Sequence, residues 1–373
     1  MKHLALIPLF LLCMACQHPS TPSDLHLLVG TYTDGGESQG IYSGLFNEQS
    51  GQATLRSSLM VENPSFVRFL PGSSAFCTLS EFHDARAAAH LGSYAPEDGR
   101  LRLVSSCLAA PEGPGAEDPC NAWSDGSHIV TANYSGGSLS VFAIGADSTL
   151  SLRQFISYPA LRDSTVSHIH CALPTPDSRY LLVTDLGNDC IYRYTIHPGA
   201  APDGEADFLT DHCIAYTGPN GWGPRHFVFS NDGSFMYLIN ELGGTIVVFR
   251  YNDGVLEPIQ NEMAEEVPAH GSADIHLSPD GRFLYASHRL QHDGISIWQV
   301  DSLSGRISKV GYQPTGRHPR NFILTPSGNY LLVACRDDDR IEVYRRHTDT
   351  GLLSPTDHDI KLPRPVCLQW LGE

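Results

Sequence analysis

The chain has 373 residues, 41% of them apolar and 17% charged, which is enough to build a large core and unlike a disordered polymer. A formal net charge of −17 argues against a nucleic-acid or anionic-membrane surface. Positive charge is nearly all arginine, since lysine occurs only at Lys2, Lys309 and Lys361.

Residues 1–15 open with Lys2 and His3, run through an apolar Leu4–Leu12 interrupted by Pro8, and end at Cys13-Met14-Ala15 before Cys16. This pattern resembles a bacterial lipoprotein signal peptide with Cys16 as the lipidated residue, a plain cleaved secretory signal being the alternative. The apolar run is well short of the roughly 18 to 20 residues of a permanent span, so contact with the membrane is expected only through an N-terminal lipid anchor. Residues 16–24, with two prolines and two serines, read as a tether. The protein is therefore expected to be exported, as a cell-envelope lipoprotein or in the periplasm.

From Leu25 the chain reads LHLLVGTYT, GIYSGLFN and ATLRSSLMVE, three strands without a preceding inner one. A repeat then begins, degenerate at Pro64, clearer at Asp118–Ile144 and Ser167–Ile196, and strong at Gly223–Tyr251, Gly271–Val300 and His318–Arg346. Each copy has a polar cluster, an apolar strand, a turn such as Asp232-Gly233, a second strand, a polar loop and a third strand. A spacing of roughly 50 residues is the length of a four-stranded propeller blade with its turns.

Pro365–Leu371 (PVCLQWL) matches the first strand of a repeat and then the chain stops. The expectation is an all-β, seven-bladed β-propeller of four-stranded antiparallel blades, with residues 25–373 as one domain. Its C-terminal strand joins the three N-terminal strands and closes the ring, which removes a pair of exposed edges. Eight cysteines follow Cys16, none in a C-x-x-C pair and most within apolar strands. They read as scattered core thiols, and no metal or other cofactor is expected.

In an antiparallel pair, the start of the first strand and the end of the second lie at the same edge, so every blade turns two short segments to one mouth of the channel. These segments contain Glu81 and His83; Asn121, Asn133 and Tyr134; His168 and His170 with Asp185 and Asn188; Arg225 and His226 with Asn240 and Glu241; Asp274 with His288 and Arg289; and Arg320 and Asn321 with Arg336. At the other edge lie ordinary hairpin turns.

His168-x-His170, Gly223-Pro-Arg-His226, Asn240-Glu-Leu242, GYQPTGRHPRNF (Gly311–Phe322), ANYSGG (Ala132–Gly137) and GLLSP (Gly351–Pro355) together make the chain resemble the seven-bladed propeller lactonases. That family includes the propeller-type 6-phosphogluconolactonases and is related to carboxymuconate-lactonizing enzymes. The resemblance spans Leu25–Trp370 and implies a metal-independent site whose catalytic positions fall on His170, Arg225, Glu241 and Arg289.

Hydrolysis of a sugar lactone needs a base for water and a donor for the oxyanion. Glu241 or His170 can be the base and Arg225 the oxyanion clamp, with Arg289 and Arg320 holding a second anionic group. His168, His226, Asn133, Asn240, His288 and Arg320 complete the expected substrate contacts. The expected partner is a small anionic sugar lactone or sugar acid, an unphosphorylated sugar lactone being an equal expectation for an exported protein, with the chain acting as a monomer. Alternatives are a non-catalytic propeller binding a glycan or protein on its rim, and a lactonizing cycloisomerase.

Overall fold

Hairpin turns set the register of the sheets. In the strong repeats, Gly233, Gly281 and Gly328 take φ of 73°, 68° and 70°, a left-handed conformation open to glycine at little cost. The strands they join form seven antiparallel sheets in this computed structural model, which describes residues 24–198 and 206–372. The signal-like segment and Cys16 lie outside the described residues.

The blades' innermost strands are Val67–Phe69, Pro119–Ser124, Ile169–Pro174, Pro224–Phe229, Ser272–Leu277, Pro319–Leu324 and Pro365–Trp370, here blades one to seven. These strands touch one another in that cyclic order, and the seventh touches the first. In blade seven, Pro365–Trp370 pairs with Leu25–Thr31, placing Trp370 opposite Leu27 and Cys367 opposite Gly30. The C-terminal strand thus closes the ring against the N-terminal strands, as the unmatched PVCLQWL segment predicts. In blade six the outer edge is split between Leu353–Pro355 and Ile360–Lys361. Among the described residues the only helix is the 3-10 turn Arg336–Asp338.

The core is divided by blade interface. Seven apolar clusters occur, each joining two consecutive blades, as where Tyr237 and Ile239 of blade four meet Ile275 and Leu284 of blade five. Neighbours cover both faces of the second strands, so Phe235–Asn240, Phe283–His288 and Tyr330–Cys335 are buried throughout and read as near-continuous apolar runs. Outermost strands such as Leu101–Leu108 have one wet face and alternate. All eight described cysteines are free, six of them buried and Cys213 exposed.

Candidate active site

Two kinds of position build one mouth of the channel, a rim residue in every blade and a bulged residue in most. The first residue after the second strand is Tyr32, Glu81, Tyr134, Leu186, Glu241, Arg289 or Arg336, and in all seven blades its N–H donates to the carbonyl at the entry of the first strand. Those carbonyls belong to Arg364, Asn63, Asp118, His168, Gly223, Gly271 and His318, at 2.8 to 3.2 Å. This shared bond fixes a ring of equivalent rim residues.

The second position is a β-bulge. In blades two, three, four and six the pairing jumps from Pro119 to Asn121, Ile169 to Cys171, Pro224 to His226 and Pro319 to Asn321, leaving Cys120, His170, Arg225 and Arg320 outside the ladder. A wider jump in blade five, from Ser272 to Ile275, releases Ala273 and Asp274. A bulge re-aims the extra side chain, here toward the axis. Five of the entries join a left-handed residue to a proline, with φ of 44° at Asn63, 53° at Asp118, 67° at Gly223, 60° at His318 and 44° at Arg364. Residues before proline ordinarily prefer extended backbone, so these tight entries are set by the ring around them.

The bulged and rim residues meet over a cavity of about 290 Å3 lined by Glu81, Asp118, Cys120, Tyr134, Ser135, His170, Glu241 and Arg320. On one side Glu241 is clamped by two buried guanidiniums, with Oε2 at 2.7 Å from Arg225 Nε and Oε1 accepting from Arg289 at 3.0 Å. The Arg225 Nε–H is not aligned on that oxygen, so this contact is Coulombic. Arg225 also donates to the carbonyl of Ala273, and Arg289 to that of Gly271. Across the cavity Arg320 lies 3.7 Å from Glu81 and 5.7 Å from the centre of the Tyr32 ring, whose hydroxyl donates to Glu81 at 2.8 Å.

Burial pushes the Glu241 carboxyl up, but Arg289, Arg225 and Arg320 overcome it and leave the group below the ordinary value. Burial, then the positive field of Arg225, the neighbouring His226 and the fields of Arg320 and Arg289, hold His170 well below 6.5. Neutral pH therefore leaves an ionised Glu241 between two arginines beside an uncharged His170. Burial lowers Arg289 to about 10, still protonated at neutral pH.

Of the residues singled out in the sequence, His170, Arg225, Glu241, Arg289 and Arg320 come together here. His168 packs behind the wall, stacked on Tyr134 with ring centres 4.4 Å apart. His226 points down the channel, to a cavity of about 450 Å3 that it lines with Asn121, Asp274, His276 and Asn321, each from further along the inner strands. The larger cavity faces the hairpin-turn side, while Arg320 and the carboxylates line the smaller one, with Arg225 and Arg289 reaching it through Glu241.

The structure does not bring Asn133, Asn240 or His288 to the pocket. Asn133 donates to Ser138 and Ser140, Asn240 to Thr245, and His288 lies between Ser272 and Ser296, all inside their blades. Each is the last ladder residue of a second strand, and the period of two aims it away from the face that the next residue uses. Leu186 and Tyr32 are the rim residues that the sequence reading missed, and of the two Tyr32 reaches the site. Its blade is assembled from both ends of the chain, but aligning Gly30-Thr-Tyr32 with Ile239-Asn-Glu241 puts it in the same place.

The family model described as "Lactonase, 7-bladed beta-propeller" matches residues 26–370. The chain belongs to the seven-bladed β-propeller lactonase family. As a member of this lactonase family it is an enzyme. A 6-phosphogluconolactonase of Formosa agariphila is 32% identical, covering 91% of this chain and 96% of its own. A crystal structure from Bacteroides fragilis superposes with a TM-score of 0.89 at 44% identity, over 95% of this chain and 99% of that one. The periplasmic gluconolactonase of Pseudomonas aeruginosa gives a TM-score of 0.84 at 30% identity, over 94% and 99%.

Proposed function

We propose that the chain hydrolyses an uncharged sugar lactone of the gluconolactone type in the pocket between Glu241 and Glu81, with His170 as the base. The observation that carries this reading is the meeting of a neutral, buried imidazole with Glu241, Glu81 and Arg320 on one cavity, where Arg225 and Arg289 stand against Glu241 from two further blades. His170 takes a proton from water as the water oxygen bonds to the lactone carbonyl carbon. The carbonyl electron pair moves to oxygen, where Arg225, with Arg289 behind it, stabilises the oxyanion. Collapse breaks the ring C–O bond, and the departing alkoxide takes the proton back from His170, giving a hydroxy acid.

Glu241 serves this scheme as the anion that holds Arg225 and Arg289 in place, because a carboxylate tied to two arginines is a poor base. The same commitment bears on substrate charge. Arg225 and Arg289 face Glu241, Arg320 faces Glu81, and Asp118 stands at the rim, so a dianionic phosphate would enter beside three carboxylates. Sugar hydroxyls, in contrast, can donate to those oxygens. Of the two substrates expected from the sequence this reading takes the uncharged one, and the anion to be held is the one the reaction creates.

An exported location is consistent with the segment ending at Cys16 and with the periplasmic relative. The test is lactone disappearance, corrected for spontaneous hydrolysis, for the wild type, His170→Ala, Arg225→Ala and Glu241→Gln. Loss of rate in all three variants, with the unphosphorylated lactone preferred over its 6-phosphate, is the expected result. Equal rates in all four proteins would leave a rim-binding propeller as the surviving reading.

A further inference from the structure

His170 does not stand alone at the pocket floor. Its ring meets that of His226 edge to face with centres 5.0 Å apart, and both His170 Nδ1 and His226 Nε2 are enclosed without a hydrogen-bond partner among the described residues. The other nitrogen of His226, Nδ1, lies 2.7 Å from Asp274 Oδ1. Asp274 is itself held on every side: Oδ1 also accepts from the N–H of Ile275 at 3.0 Å, and Oδ2 lies 3.0 Å from His276 Nε2 and 2.5 Å from Asn321 Nδ2. Asn321 in turn accepts from the N–H of Leu368, so blades three to seven all contribute to one line of contacts.

We propose that Asp274 and His226 are positioning residues that set the tautomer of His170, an inference that rests on the reading of His170 as the base. An ionised Asp274 draws the His226 proton to Nδ1 and leaves a lone pair on His226 Nε2. That lone pair faces the enclosed side of His170 and favours a proton on His170 Nδ1, reached through one buried water that gives both orphaned nitrogens a partner. The Nε2 edge of His170 is then an unprotonated acceptor on the pocket side. When it takes a proton from water, Nδ1–H remains the donor toward His226, and no proton has to leave His226.

The groups around His170 agree with this assignment. Arg225, Arg320 and Arg289 disfavour an imidazolium, as does the His226 ring, while Glu241 and Glu81 face the cavity and Tyr134 closes the side. Burial holds His226 at about 4, and the imidazoles and their hydrogen bonds hold Asp274 well below the carboxylate range against its burial. An acid that fixes one imidazole so that a nitrogen is free for proton transfer is the logic of hydrolytic triads, extended here by one ring.

The test joins kinetics to 15N NMR of histidine-labelled protein. Wild-type His170 is expected as the Nδ1–H tautomer, and Asp274→Asn is expected to mix the tautomers and lower kcat by about 10–100-fold, with KM changed by less than about twofold. His226→Gln, which keeps an acceptor near the same place, is expected to retain more activity than His226→Leu. Wild-type His170 protonated on Nε2 overturns the relay without any variant, whether or not Asp274→Asn folds. An inactive His170→Ala beside an Asp274→Asn with full kcat and a single tautomer overturns the relay alone. Full activity in His170→Ala overturns the base assignment itself and the relay with it.

Discussion

Glu241 Oε2 sits 2.7 Å from Arg225 Nε, on a side chain that is only 18% exposed against an arginine that is 2% exposed. A buried guanidinium without its carboxylate is unfavourable, so this acid contributes to folding as well as to the site. Glu241→Gln is expected to lower stability by about 2 kcal/mol, less than for a fully enclosed pair because the pocket admits water. Urea denaturation measures it, and an unchanged midpoint would mean that solvent already neutralises Arg225 and Arg289.

The activity of the base has a predictable acid limb. Because His170 is held well below 6.5, it stays unprotonated as pH falls through the ordinary imidazole range, and kcat/KM is expected to show no bend there. A pH–rate profile bending at or above 6.5 would exclude His170 as the group that must be neutral. His170→Ala is expected to reduce kcat by about 10²–10⁴-fold.

Stability should fall where activity does not. Burial and then Arg225 hold His226 at about 4, burial and then Lys309 hold His288 at about 3, and burial and then Arg289 hold His318 at about 3. Their folded values lie below the unfolded one, so below about pH 6.5 the unfolded chain binds more protons and stability drops as pH falls. Each such imidazole adds a slope of up to about 1.4 kcal/mol per pH unit. Denaturant midpoints at pH 7 and pH 5 measure this, and equal midpoints would contradict it.

Ring closure can be tested far from the chemistry. Trp370 is 1% exposed, lies 5.7 Å from the Phe46 ring centre and donates from Nε1 to the Leu324 carbonyl at 2.8 Å, so it touches blades six and seven together. Trp370→Ala is expected to cost about 3–5 kcal/mol, measured by denaturation, with kcat of the remaining folded protein unchanged.

Architecture was legible because every blade repeats its turns and its buried second strand, and the unmatched PVCLQWL segment already implied closure. The pocket was legible to within one residue. Knowing which edge carries the mouth picked out Arg225, Glu241, Arg289, Arg320 and His170, but the segment ends also contain Asn133, Asn240 and His288. Alternation sends these three into the blade while Tyr134, Glu241 and Arg289 beside them face the axis. The bulges change the phase of the inner strands, and pattern alone does not announce them. The proline before Cys120, Arg225 and Arg320 is their trace in the sequence. His226 shows the limit: it follows a site residue and is one step deeper in the channel.

Pairing of Leu25–Thr31 with Pro365–Trp370 also sets when the enzyme can exist. A nascent chain halted between residues 347 and 364 holds every pocket residue yet presents two open flanks, one on Leu25–Thr31 and one beside blade six. The ring therefore closes only once Pro365–Trp370 has been made, and products terminated before it should be quickly recognised by proteases.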